Sequence, residues 1–86
     1  MSRTTIEEVL GFLGGDAAQL LELLRSEGLF EEPELDSYEA EELRVAVLWM
    51  RDLGVNPAGV DVALQLRRRL LALEDRLRQT LEQLEK

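Results

Sequence analysis

Asn56-Pro57 opens a run to Lys86 that contains no further proline, and its only glycine, Gly59, falls in the first turn. Asn56 is a favourable helix N-cap, and Pro57 suits the first helical position, where a missing N–H is no loss. A helix of this length reaches about 45 Å. That is more than a globule built from 86 residues can cover by itself.

The apolar residues of the run say what such a helix does. Leu66, Leu70, Leu73, Leu77, Leu81 and Leu84 are spaced 4, 3, 4, 4 and 3, a single stripe on a helix surface. Val60, Ala63 and Leu64 are expected to widen the stripe at its N-terminal end. Arg67, Arg68, Arg69, Glu74, Asp75, Arg76, Arg78, Glu82 and Glu85 fill the other positions, and Glu74 with Arg78 makes a favourable i,i+4 pair. A narrow leucine seam between mixed charges predicts a two-helix coiled coil, so these six leucines are the expected dimerisation residues. The competing expectation is that the helix folds back on its own core.

The rest of the chain is read in order. Thr5 caps a first helix with Glu8 in the capping-box position, and Ile6, Val9, Leu10 and Leu13 form its inner face. Gly14-Gly15 end it. Asp16 is expected to cap a second helix with Gln19 in the box position, burying Leu20, Leu21, Leu23 and Leu24, and Gly28 supplies the stop. Two short helices joined by a glycine turn make a helix-turn-helix. Leu29-Phe30 and Leu35, either side of the polar turn Glu31-Glu32-Pro33-Glu34, predict a very small hairpin. Asp36 or Ser37 caps a third helix with an inner face of Tyr38, Leu43, Val47, Met50 and Leu53, filled beside by Ala46. Leu48 and Trp49 lie off that face. The expected architecture is all-α and one unit, with residues 1–55 forming the head and 56–86 the long helix.

Composition narrows the function. The chain has no cysteine and no histidine, so thiol, histidine-based and disulfide chemistry are out of reach. Glu31, Glu32, Glu34 and Asp36 lack the spacing and central glycine of a calcium loop, and no glycine-rich phosphate loop is present. A non-enzymatic protein without cofactor or metal is expected. No signal-peptide pattern or long apolar run is present, which predicts a cytoplasmic protein with no membrane association.

Charge is distributed unevenly. Residues 1–42 hold twelve acids against two bases, a net of −10, whereas residues 43–86 hold six acids against eight bases, a net of +2. An acidic half repels a phosphate backbone and attracts a basic protein surface. The second helix has Arg25 as its only base, and the wing region has none.

The segment Arg51-Asp52-Leu53-Gly54-Val55-Asn56-Pro57-Ala58-Gly59-Val60, followed by Val62-Ala63-Leu64-Gln65-Leu66, carries a resemblance, with Gly28-Leu29-Phe30-Glu31 as a weaker companion. With the order of helices, it resembles the MerR superfamily of helix-turn-helix proteins. Within it the chain is most similar to the small chaperone modulators of the CbpM type, over roughly residues 5–84. The resemblance implies a MerR-like winged helix-turn-helix with a vestigial wing and a long dimerising helix. It also implies a homodimer that binds the J-domain of a DnaJ-type co-chaperone and so modulates its Hsp70 partner. Antiparallel pairing of the long helices is implied only by the resemblance; the residues as read here leave orientation open.

The expected partner surface is acidic: Glu22, Glu27, Glu31, Glu32, Glu34 and Asp36, with Phe30 and Leu35 as apolar anchors. Charge would steer a basic J-domain and buried anchors would supply affinity. The alternative is a MerR-like DNA-binding regulator. It would have to use Arg67-Arg68-Arg69, or Arg44 and Arg51, because DNA-binding relatives place bases on the second helix and wing.

Overall fold

A computed structural model describes residues 2–85. The order is β1 (Arg3–Thr5), α1 (Ile6–Leu13), α2 (Ala17–Arg25), β2 (Glu34–Asp36), α3 (Ser37–Leu53) and α4 (Pro57–Leu84). The architecture is all-α apart from a two-stranded ribbon.

The helix starts follow local chemistry. Thr5 accepts from the Glu8 backbone N–H at 3.2 Å. Asp36 and Glu39 close a reciprocal capping box at 2.8 and 3.2 Å. Asn56 accepts from Gly59 N–H at 2.7 Å. A Cβ on Gly59 would lie 3.2 Å from the Asn56 side-chain oxygen and 3.0 Å from Val55, so glycine there keeps the cap tight. Gly54 ends α3 in the left-handed region at φ 68° and donates to the Met50 carbonyl, the usual use of a residue without Cβ.

Several sequence expectations are corrected. Asp16 makes no side-chain cap on α2. Its carboxylate instead accepts from Arg51 Nε at 3.0 Å, and the same guanidinium donates to the Gly14 carbonyl at 2.8 Å. Arg51 thus ties the α1–α2 turn to α3.

The expected hairpin does not form. Phe30 adopts φ 55°, which breaks an extended arm at that point, and the Phe30 carbonyl accepts from Arg25 at 3.1 Å. β2 pairs antiparallel with the N-terminal strand β1 instead, with Thr4 opposite Leu35.

Tyr38 and Leu53 are exposed rather than on the inner face. Five residues separate Tyr38 from Leu43, a rotation that leaves it about 140° round the helix. Leu53 lies in the last turn, beyond the stretch its neighbours cover. Leu23 is likewise on the outer side of α2.

The core consists of Ile6, Ala17, Leu21, Leu24, Leu35, Leu43, Ala46, Val47, Met50, Val60 and Leu64, with Trp49 packed against it. Only the first turns of α4 take part. Val60 and Leu64 face the head, whereas the leucine stripe begins about 130° round the helix. These two residues therefore do not widen the stripe; they form a second face. From Leu66 to Leu84 the six seam leucines are 50–76% exposed. The helix does not fold back, and the molecule extends 50 Å along its long axis.

Candidate partner-binding surfaces

Two clefts lie on the head. The first has a volume of about 420 Å³ and is lined by Phe30, Glu31, Glu32, Glu39, Glu42 and Arg68 among others. It brings the loop after α2, the start of α3 and the third turn of α4 together. Glu42 forms its floor. That side chain is only 4% exposed, and both its oxygens accept from Arg68, Nε at 2.7 Å and Nη2 at 2.9 Å. The bidentate hydrogen bond to Glu42 raises the Arg68 guanidinium pKa above its ordinary value. Glu31 and Glu32 stand exposed at the rim.

The expected site residues divide. Glu22, Glu27, Glu31, Glu32 and Glu34 are exposed. Glu22 lies 3.6 Å from Arg25, and Glu34 lies 3.6 Å from Arg3. Asp36 is occupied as the α3 cap. Leu35 is 1% exposed, so it is core and not an anchor. Phe30 is half-buried against the core. The inward face of β2 explains both Leu35 and its neighbours: alternation along a strand sends Leu35 in and Glu34 out.

The second cleft, of about 460 Å³, runs between β1, α1 and the start of α3, and is lined by Thr4, Glu8, Val9, Phe12, Ala40 and Arg44 among others. Phe12 is 84% exposed, the most exposed large apolar side chain among the described residues. Sequence reasoning missed it, yet a signal exists: it falls off the Ile6, Val9, Leu10, Leu13 stripe. Arg44 is held by Glu41, with Nε 2.9 Å from its Oε2. This hydrogen bond, more than Arg44's charge, lowers the Glu41 carboxyl pKa, and burial opposes it. Glu42 and Arg68 left no signal, because 26 residues separate them and nothing local marks either as buried.

The basic side chains are largely committed. Arg3, Arg25, Arg44, Arg51, Arg68 and Arg78 each lie within 4 Å of a carboxylate. Among the described residues no helix is long and apolar enough to cross a membrane. Compared with protein-family models, with curated proteins and with solved structures, the chain matches none.

Proposed function

We propose that this chain is a non-catalytic, homodimeric modulator of an Hsp70 chaperone system that binds the basic face of a DnaJ-type J-domain through its acidic head. The observation that carries the reading is the first cleft, lined by Glu31, Glu32, Glu39 and Glu42: Arg68 answers Glu42 and the α3 capping box engages Glu39, while Glu31 and Glu32 stand exposed at the rim with no base paired to them among the described residues. Such a surface accelerates encounter with a basic partner and selects against acidic ones. An apolar anchor is still needed for affinity. Leu35 is taken up by the core and Phe30 is half-buried at the first cleft, so exposed Phe12 in the neighbouring cleft is the main anchor. The two clefts draw on the same ribbon and the same first turns of α3, so one docked domain reaches both.

Pairing of two copies through the α4 seam belongs to this reading. Its support is six leucines left at least half exposed along one line, an apolar stripe of the kind that marks an interaction site. The MerR-like DNA-binding alternative draws less support, since Arg44, Arg51 and Arg68 are engaged by Glu41, Asp16 and Glu42.

The test is titration calorimetry of the purified chain with an isolated J-domain and, separately, with duplex DNA, at low and moderate salt. Saturable J-domain binding that weakens with salt supports the reading. Binding to DNA alone, falling steeply with salt, would replace it with the regulator.

A further inference from the structure

The cleft between β1, α1 and α3 is lined by three charged side chains, Glu8, Glu41 and Arg44, and two of them answer each other. Arg44 donates through Nε to Glu41 at 2.9 Å, and its Nη2 bonds the other oxygen of the same carboxylate. Glu8 is left over. Among the described residues no base lies within ion-pair distance of it. The cleft therefore carries one unanswered negative charge.

Glu8 is also held in place. Its Oε2 accepts from the Thr4 hydroxyl at 3.2 Å, and its Oε1 accepts from the Thr5 hydroxyl at 3.1 Å. Thr5 is fixed as the α1 cap, and Thr4 by its pairing with Leu35. A carboxylate oxygen accepts more than one hydrogen bond, so each keeps room for a further donor. A carboxylate oriented in advance lowers the ordering cost of binding.

Phe12 stands four residues on, so ring and carboxylate share one side of α1, with their Cβ atoms about 5–6 Å apart. Helical side chains lean toward the N-terminus, which carries the ring toward the turn of Glu8. Both side chains line the cleft, together with Val9 and Ala40. The ring is 84% exposed, and its face is open to a planar group.

These observations decide among occupants. A purely apolar side chain on Phe12 would cover Glu8 without giving it a donor, which is unfavourable. An ammonium answers the charge, but it holds its water tightly and has no plane to lay on the ring. A guanidinium does both, because its flat face stacks on an aromatic ring and its fork matches the two oxygens of a carboxylate. We propose that this cleft is an arginine site, in which a side chain of a basic protein partner lies across Phe12 and donates to Glu8. The arginine stem covers Val9 and Ala40. The proposal rests on the reading of the head as a surface for a basic protein, and it specifies one residue that such a partner presents.

Two measurements test it. In the first, the isotope-labelled chain is titrated with N-acetyl-arginine amide, with its lysine counterpart and with its citrulline counterpart, which keeps the shape of arginine without the charge. Amide shifts are followed by NMR. Arginine should move Glu8, Phe12 and Ala40 and saturate about five-fold tighter than lysine, and citrulline should not saturate. Glu8→Gln and Phe12→Leu should each weaken arginine about five-fold. Both positions are exposed, and Glu8→Gln leaves intact the Thr5 cap, which accepts from the Glu8 backbone N–H. Shifts confined to Glu31 and Glu32, or lysine as tight as arginine, would overturn the site.

The second measurement is calorimetry with the J-domain. Phe12→Leu keeps apolar bulk and removes the aromatic face, whereas Phe12→Trp keeps the face. Binding weakened about five-fold by leucine and retained by tryptophan supports the site. Undiminished binding by both Phe12→Leu and Glu8→Gln would overturn it and leave the J-domain reading standing. Saturable arginine at Phe12 with no J-domain binding would support the site and remove the chaperone reading.

Discussion

Replacing Arg68 by methionine tests what fastens α4 to the head. The change keeps the stem of the side chain and removes both hydrogen bonds to Glu42, at 2.7 and 2.9 Å. Glu42 is 4% exposed whereas Arg68 is 46% exposed, and the two ends of the pair are therefore unequal. Without Arg68 a carboxylate stays buried with no cation. Breaking a buried ion pair from one side costs about 3–5 kcal/mol. Water entering the space left by a half-exposed arginine lowers the figure, so a loss of about 2–3 kcal/mol is expected at pH 7. The reverse change, Glu42→Gln, leaves a cation that water can reach and should cost about 1 kcal/mol. Urea unfolding followed by circular dichroism, at one protein concentration, measures both. The double variant Arg68→Met with Glu42→Leu should recover much of the loss. The reasoning is refuted if Glu42→Gln costs more than Arg68→Met.

Further predictions concern other parts of the molecule. Leu70→Asp with Leu77→Asp should give a monomer with an unchanged head, read by light scattering and near-ultraviolet dichroism of Trp49; a persisting dimer would place the interface elsewhere. Glu31→Lys with Glu34→Lys should weaken J-domain binding at low salt, and Phe12→Ser should weaken it at all salt concentrations, both by calorimetry. Glu41 should titrate below an ordinary glutamate by NMR and return upward in Arg44→Gln. Because folding lowers its pKa, the stability it contributes is present above the unfolded value and lost as pH falls through the folded one. Asn56→Ala should cost about 1 kcal/mol by removing the bond to Gly59 N–H at 2.7 Å.

The sequence alone determined whatever is settled within one turn of chain. The Thr5, Asp36 and Asn56 caps, the Gly28 and Gly54 stops and the length of α4 were legible because the hydrogen-bonding groups involved lie three to five residues apart. The seam was legible as a stripe for the same reason. Only the tertiary structure decided which partner each segment took across longer separations. Asp16 reads as a cap until Arg51, 35 residues away, takes its carboxylate. Leu35 reads as half of a hairpin until the N-terminal strand pairs with it and sends its side chain inward. Glu42 reads as one more surface acid until α4 lays Arg68 across it. Val60 and Leu64 merge with the seam in sequence, yet they form a separate face, because a rotation of about 100° per residue divides one apolar run between two neighbours. The exposed apolar surfaces are what remains after those pairings. Phe12 and the leucine seam are exposed because no part of the head reaches them.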